Sequence, residues 1–134
     1  ELARPQSAPV PGLVRRAERF MSDNAGAFLT VSDVAAQLGV SVRSLQSGFR
    51  QWRNTTPNAR LRQIRLQRVR DELLRASAET NVTAVAMRHG FSHLGRFSAH
   101  YQSAFGEAPS VTLRRSRTIG LVPRHSSIRP TRRP

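Results

Sequence analysis

The sequence predicts an all-α protein with two helix-turn-helix subdomains joined by a long central helix. Three observations lead to this fold class. Apolar residues recur at a spacing of three and four along the chain, which is the period of an amphipathic helix. Single glycines interrupt the periodic segments at Gly39, Gly90 and Gly106, where a helix can end. The segment around Gly39 also repeats around Gly90, with a long periodic stretch after Pro57 between the two copies.

The chain divides into five predicted segments. They are a linker at residues 1–10, the first helix-turn-helix subdomain at 11–56, a connecting helix at 57–77, the second subdomain at 78–115 and a basic tail at 116–134. The linker and the tail lack periodicity and contain prolines, and the tail is also rich in arginine. The tail is expected either to add non-specific phosphate contacts or to serve only as a solubilising, disordered end. Because the chain opens with Glu1 instead of methionine, we expect a further domain to be missing from the sequence.

The first two helices follow from an apolar stripe and from their caps. The first helix begins at Pro11, a residue suited to a first turn, and ends near Asn24. Its apolar stripe consists of Leu13, Ala17, Phe20 and Met21. Either Thr30 or Ser32 caps the second helix, Val31–Leu38. The residues expected to be buried there are Val34, Ala35 and Leu38.

The third helix and the central helix are longer. Ser41 is expected to cap Val42–Arg53, whose predicted anchors are Leu45, Phe49 and Trp52. Thr56 and Pro57 start the central helix, which is expected to run to about Ala76. Its apolar positions spread too widely for one narrow stripe: Leu61, Ile64, Leu66, Val69, Leu73 and Leu74. Such a helix can pack against one subdomain at each end, and most of its arginines are expected to face water.

The second subdomain has the same plan. Asn81 is expected to cap a short helix, which ends at the turn formed by Gly90. Ser92 is expected to cap the next helix, whose aromatic stripe consists of Phe97, Tyr101 and Phe105. Gly106 ends that helix, and a further short helix is expected over Ser110–Arg115.

The two subdomains are interpreted as copies of one unit. One set of residues in the first copy matches the second at an offset of 51: Val34, Ala35, Gly39 and Ser41 against Val85, Ala86, Gly90 and Ser92. A second set matches at an offset of 52: Leu45, Phe49, Pro57 and Leu61 against Phe97, Tyr101, Pro109 and Leu113. A single inserted residue, expected after Ser92, explains the change in offset, and a duplicated fold predicts this agreement.

These residues also carry a resemblance to a known family. The pattern GF-S-x(4)-F-x(3)-Y-x(3)-FG-x-x-PS, which begins at Gly90, resembles the signature of the AraC/XylS family of bacterial transcription regulators. The resemblance covers roughly residues 12–115. It implies that both recognition helices enter successive major-groove segments on one side of a DNA duplex. It also implies that the intact protein carries an effector-binding or dimerisation domain and contacts RNA polymerase.

The charge of the chain favours a polyanionic partner. The sequence has 22 basic residues, all of them arginine, against 8 acidic residues, and a net charge of +14. Double-stranded DNA is the first partner to expect, and an anionic membrane surface is the second. Arginine also pairs with phosphate and guanine through two parallel hydrogen bonds. No apolar run has the roughly 18 residues that a membrane helix needs, so no membrane-spanning segment is predicted. Of the two polyanionic partners DNA is the one we predict, with no membrane partner, and the protein is expected in the cytoplasm.

Residues on the second helix of each helix-turn-helix are the candidates for base reading. In the first copy, a face defined by positions i, i+3 and i+4 carries Arg43, Gln46 and Ser47. Alignment of the copies gives Gly95, Ser98 and Ala99 in the second, with Arg96 and His93 beside them. The resemblance points to the same first set and to Gly95, Arg96 and Ala99. Since glycine and alanine offer only shape contacts, the second helix is expected to serve more as an anchor.

A second group of residues is predicted to contact phosphates: Thr30, Ser32, Arg50, Arg53, Asn81, Thr83 and His100. Four of these are helix-cap candidates in the first place, and the arginines could instead lie on a solvated face. Apart from DNA reading, the charge allows an architectural protein that coats DNA without sequence preference. A protein-interaction module would require the exposed faces of both recognition helices to be covered by another segment.

Enzymatic and metal-binding functions are not predicted. The chain has no cysteine, which excludes disulfides, thiolate nucleophiles and a DNA-repair methyl acceptor of the kind that carries such modules. No paired carboxylates, activated serine or glycine-rich phosphate loop is found. His89 and His93 have zinc-ligand spacing on a continuous helix, but Gly90 interrupts that helix. No metal or other cofactor is therefore expected.

Overall fold

Seven helices account for the regular structure of residues 11–118, the part of the chain that a computed structural model describes. They are α1 Pro11–Asn24, α2 Val31–Leu38, α3 Val42–Arg53, α4 Pro57–Leu74, α5 Val82–Arg88, α6 Leu94–Phe105 and α7, over residues 109–118. These described residues contain no β-strand, and the predicted all-α fold class is confirmed. The predicted linker at 1–10 and the tail from residue 119 onward lie outside the described residues.

The chain divides into two compact units between Arg65 and Leu66, within α4. The first unit contains α1, α2, α3 and the first half of α4. Its core is built from buried residues of all four helices and of the loop after α1: Val14, Ala17, Met21, Ala25, Val34, Ala35, Leu45, Phe49, Leu61 and Ile64. Helices α2 and α3 each bury only one apolar side in this core, so each keeps a polar side exposed.

The second unit contains the rest of α4 with α5, α6 and α7. Its core consists of Leu66, Val69, Leu73, Val85, Ala86, Phe97, Tyr101 and Leu113. The aromatic stripe of α6 is confirmed, since the rings of Phe97 and Tyr101 lie 5.9 Å apart and those of Tyr101 and Phe105 lie 4.7 Å apart. Helix α4 thus supplies apolar residues to both cores, as its broad apolar surface predicted.

Caps and glycine turns set the helix ends. Thr30 caps α2 through a reciprocal pair of bonds, in which its hydroxyl accepts from the Asp33 amide and the Asp33 carboxylate accepts from the Thr30 amide. Ser41 caps α3 by accepting from the Ser44 amide. Gly39 and Gly106 end α2 and α6 with φ of 71° and 77°, a region that an L-residue with a side chain rarely occupies.

One capping prediction is wrong. His93, not Ser92, is the N-cap of α6, and its ring Nδ1 accepts a hydrogen bond from the Arg96 amide at 3.1 Å. The inserted residue therefore lies before the cap, between Gly90 and His93, and not after Ser92. With that change the two N-caps, Ser41 and His93, and both recognition helices correspond at an offset of 52.

The structure also differs from the sequence prediction at the end of the second subdomain. Helix α7 covers residues 109–118, whereas a shorter helix over Ser110–Arg115 and a tail from residue 116 were expected. Polar contacts explain the extra turn: the Ser116 hydroxyl donates to the Leu74 carbonyl at 3.1 Å, and Arg117 donates to the Thr80 carbonyl at 2.6 Å. Ser116 and Arg117 are polar, so the spacing of apolar residues does not predict that the helix continues through them.

Candidate nucleic-acid interface

The exposed side of α3 forms a continuous polar stripe. Arg43, Gln46, Ser47 and Arg50 are all exposed, and their spacing of three and four places them on one side of the helix. On the opposite side, Leu45 and Phe49 are fully buried in the first core. None of the four stripe residues forms an ion pair with another described residue. The residues predicted to read bases in the first copy therefore lie together on a surface with free donors and acceptors.

A buried glycine helps α3 pack closely. Gly48 lies on the core side of α3 between Leu45 and Phe49, and all three are buried. A side chain is absent at this position, so the helix backbone can approach its neighbours in the first unit. The stripe is thus carried by a helix whose opposite side is buried at these three positions.

The exposed side of α6 is less polar. Gly95, Arg96 and Ala99 are exposed, while Phe97 and Tyr101 are buried beneath them. His93 is exposed, but its Nδ1 is already occupied by the helix cap. The second copy therefore presents one strong hydrogen-bonding side chain, Arg96, beside two small residues, as the sequence alignment of the copies indicated.

The predicted phosphate-contact residues divide between helix starts and the two recognition helices. Thr30 caps α2, and Asn81 caps α5 by accepting from the Ala84 amide at 2.8 Å. Ser32 and Thr83 are exposed in the first turns of the same helices, and Arg50 is exposed on α3. His100 is half-buried on α6.

Arg53, the other predicted phosphate contact, forms an ion pair with a carboxylate of the protein. Its Nε and Nη2 donate to the two carboxylate oxygens of Glu18, both at 2.9 Å, and its Nη1 donates to the Trp52 carbonyl. The hydrogen bond from Arg53 and, after it, the bond from Arg60 lower the pKa of Glu18, outweighing the effect of burial. Trp52 itself is 40% exposed, so the prediction that it anchors α3 in the core is wrong.

An arginine of α4 fixes the loop that leads into α2. The Nη2 of Arg65 donates to the carbonyl oxygens of Gly26 and Leu29, both at 2.7 Å. Burial of this guanidinium lowers its pKa, since desolvation disfavours the charged form. The two bonds position the backbone directly before Thr30, and therefore the exposed start of α2.

The two recognition helices, α3 and α6, carry no acidic residue of their own. Glu72 accepts from Arg88 and from His89, and Glu107 accepts from Arg115 and Thr112. Hydrogen bonds from Arg115 and Thr112 lower the pKa of Glu107. Apart from Arg53, which pairs with Glu18, the arginines of the two recognition helices have no ion pair among the described residues: Arg43, Arg50 and Arg96.

Three structural features around this surface were not predicted from the sequence. The Thr30–Asp33 capping box was present in the sequence as a threonine and an acidic residue three positions apart, a known signature of a helix start. The His93 cap had no such signal, because histidine is not a preferred N-cap residue. The Glu18–Arg53 pair joins residues 35 positions apart and left no trace in local periodicity.

No helix among residues 11–118 combines the length and the apolar character needed to cross a membrane. Within the same residues, no three histidine, cysteine or acidic side chains are grouped as a metal site would require. His89 bonds to Glu72 at 2.9 Å through Nε2, and His93 caps α6, so each has a structural partner.

Comparison with known proteins identifies the type of domain. A family model described as a helix-turn-helix domain matches residues 34–115, more than half of the chain. A solved structure described as a probable AraC family transcriptional regulator, from Rhodopseudomonas palustris, superposes with a TM-score of 0.74 at 35% identity, covering 78% of this chain and 97% of that one. The chain belongs to the AraC/XylS family of transcription regulators. It carries the helix-turn-helix DNA-binding domain of that family.

Two curated relatives extend the comparison. The probable thc operon regulatory protein of Rhodococcus erythropolis is 48% identical over 106 residues, which is 78% of this chain and 32% of that protein. The XylDLEGF operon transcriptional activator 3 of Pseudomonas putida is 37% identical over 112 residues, covering 83% and 34% respectively. This chain therefore spans about a third of the length of these two relatives. By name, both relatives are regulators of transcription and not enzymes.

Proposed function

We propose that this AraC-type domain recognises a specific DNA sequence, with α3 and α6 entering successive major-groove segments. The observation that carries the proposal is the stripe on α3, where Arg43, Gln46, Ser47 and Arg50 are exposed together on a helix with no carboxylate. A major groove admits one α-helix and presents a distinct donor and acceptor pattern for each base pair. A helix with such a stripe is suited to read that pattern.

The chemistry of the stripe favours discrimination between bases. A guanidinium such as that of Arg43 can donate two hydrogen bonds to O6 and N7 of guanine, and the amide of Gln46 can both accept from and donate to adenine. Ser47 can bond to several bases and adds less selectivity. The first unit therefore supplies most of the sequence preference in this proposal.

The second unit contributes differently. Arg96 is exposed with His93 beside it, and Gly95 and Ala99 are exposed on the same helix. In this proposal Arg96 contacts a guanine, and the two small residues allow α6 to approach the groove closely. Contacts of this kind depend mainly on shape, so we assign α6 chiefly to anchoring. Its preference is expected to be confined to the base pairs near Arg96.

Phosphate contacts orient the domain on the duplex. We assign them to the following side chains at helix starts and on the recognition helices: Thr30, Ser32, Arg50, Asn81, Thr83 and His100. We leave Arg53 out of this set, because its guanidinium already bonds to Glu18. If the whole domain neutralises roughly 6 to 10 phosphates, its affinity should fall with salt with a log–log slope near −0.9 per phosphate.

Selection of preferred sites from random DNA tests the proposal. The wild-type domain should enrich a motif, and the Arg43→Ala variant should lose about 1–3 kcal/mol of binding while relaxing preference at one base pair. The matched control is Arg50→Ala on the same helix, which should weaken binding to all sequences nearly equally. If Arg43→Ala also weakens all sequences equally, Arg43 does not read a base.

A second candidate function is architectural binding without sequence preference. The small residues Gly95 and Ala99 on α6 favour it, because they offer a helix surface without base-specific donors. Competition between the selected motif and random DNA separates the two functions. A specificity ratio near one would support the architectural protein and reject sequence-specific reading.

The intact protein is proposed to be a bacterial transcription regulator acting in the cytoplasm, where its DNA lies. Since the chain spans about a third of the two named relatives, we propose that an effector-binding or dimerisation domain completes it. Contact with RNA polymerase is proposed on the same basis, because one of these relatives is named as a transcriptional activator. Co-purification of RNA polymerase with the full-length protein on its selected site would test that contact.

A further inference from the structure

Three charged side chains meet at the end of α3. The Glu18 carboxylate, on α1, accepts from Arg53 Nε and Nη2 and from Arg60 Nε, each at 2.9 Å. The carboxylate is nearly enclosed, with 15% of its side chain exposed, against 38% for Arg53 and 32% for Arg60. Two parallel bonds between a guanidinium and a carboxylate form the strong, directional geometry that arginine also uses to bind phosphate.

Three of the five N–H groups of the Arg53 guanidinium are therefore already in use. Its remaining amino group donates to the Trp52 carbonyl at 3.1 Å, so every nitrogen of this guanidinium has an acceptor inside the protein. Arg50, one turn earlier on the same helix, is exposed and has no ion pair with any residue from 11 to 118. The two arginines belong to the same basic helix, but only Arg50 presents uncompensated charge.

A phosphate that bound the Nε and Nη2 side of Arg53 through two parallel bonds would have to displace a carboxylate of the same molecule. It would also be repelled by that carboxylate, which remains bound to Arg60 after Arg53 has left. Like charges at such short range oppose each other strongly, because the screening length of physiological salt, about 8 Å, is longer than a hydrogen bond. Displacement is thus unfavourable for any duplex, whatever its base sequence.

We propose that Glu18 limits the affinity of this domain for DNA by occupying Arg53 in place of a phosphate. This inference rests on the proposed DNA binding, and it deepens that proposal by assigning Glu18 a role in setting the number of phosphates engaged. With Glu18 present, Arg53 adds no phosphate contact, and Arg50 remains the phosphate-contacting arginine of the last turn of α3. Without it, the Arg53 side chain becomes free to neutralise one.

The test is the salt dependence of binding to a duplex of random sequence, measured by fluorescence anisotropy between about 50 and 200 mM salt. The wild type and Arg53→Gln should give the same log–log slope, because Arg53 is already withheld. Glu18→Gln should give a slope steeper by about 0.9, the value of one added phosphate. The double variant Glu18→Gln/Arg53→Gln should return to the wild-type slope.

Two further variants act as controls. Asp23→Asn removes one negative charge from the same helix, α1, at an exposed position with no ion pair among the described residues, and it should leave the slope unchanged. Arg50→Gln should make the slope shallower by about 0.9, which shows that the assay detects one lost phosphate contact. A Glu18→Gln slope that is no steeper than that of Asp23→Asn would overturn the inference.

The salt dependence of the Arg53→Gln variant tests the inference even if Glu18→Gln fails to fold. If Arg53→Gln flattens the slope as much as Arg50→Gln does, Arg53 contacts phosphate while Glu18 is present, and the inference is wrong. Equal binding to selected and random sequences would reject sequence-specific reading but leave the slope comparison intact. A wild-type domain with no salt-dependent binding would reject DNA binding itself, together with this role of Glu18.

Discussion

Replacement of Gly95 by alanine separates the stability of α6 from its proposed contact with DNA. Gly95 is the second residue of α6 and is exposed. A Cβ at this position would lie 3.5 Å from His93 Cε1 and 3.8 Å from His93 Nδ1, which is ordinary van der Waals contact. The variant therefore introduces no clash within the described part of the protein, and its effect on folding should come from the backbone.

The expected size of that effect follows from helix propensity. Alanine is more favourable than glycine by about 0.8–1.0 kcal/mol inside a helix. Because Gly95 is in the first turn, where helical constraints are incomplete, about half of that gain is expected, near 0.5 kcal/mol. The new methyl group also packs against the His93 ring, which holds the capping nitrogen in place. Gly95→Ala should therefore stabilise the second unit slightly.

Two measurements follow from this variant. Urea unfolding monitored by circular dichroism should show a midpoint above that of the wild type. Site selection should show a changed base preference at no more than two adjacent base pairs, since the methyl group projects from one position of α6. A loss of stability would refute the packing argument, and an equal change in affinity for every sequence would place Gly95 away from the base edges.

Three other outcomes are expected. Gly106→Ala should destabilise the protein by about 1 kcal/mol or more in urea unfolding, because Gly106 has a φ of 77°. Leu45→Ala, at a fully buried position, should cost about 2–5 kcal/mol in the same assay. The pKa of Glu107 is lowered in the folded state, so the ionised carboxylate stabilises the fold at pH values above the ordinary carboxyl pKa. This stabilisation is lost as the pH falls through the lowered pKa, where the carboxylate becomes protonated. Glu107→Gln should thus lose less stability than the wild type as the pH falls from above to below the ordinary carboxyl pKa, and an equal loss would contradict this assignment.

The helices of this protein were accessible from sequence because they combine regular apolar spacing with strong local signals. The predicted range Val42–Arg53 is the observed α3, where Ser41 caps one end and Leu45 and Phe49 anchor the buried side. The glycine at position 39 predicts a turn, since only a residue without a side chain readily adopts a left-handed conformation. The observed φ of 71° agrees with this prediction. Each of these features depends on residues within one or two turns.

The errors arose where distant residues decide the outcome. The cap of α6 is His93 instead of Ser92. The path of the chain after Gly90 decides which side chain reaches the Arg96 amide, and local residue preferences do not determine that path. Periodicity placed Trp52 in the core, although it lies at the edge of α3 and remains 40% exposed. The pairing of Arg53 with Glu18 depends on the packing of α1 beside α3, which no spacing within either helix encodes.

The boundary within α4 has a consequence for how this protein can be divided. The junction between Arg65 and Leu66 falls inside an unbroken helix, so a cut there would leave two fragments of nine residues from Pro57–Leu74. Isolated helices of that length are marginal in water, and each new end would expose unpaired amide or carbonyl groups. Each half would keep its buried core residues but would lose the helical hydrogen bonds of α4 that cross the cut. Recombination or engineering must therefore move both copies, with the helix they share, as a single cassette.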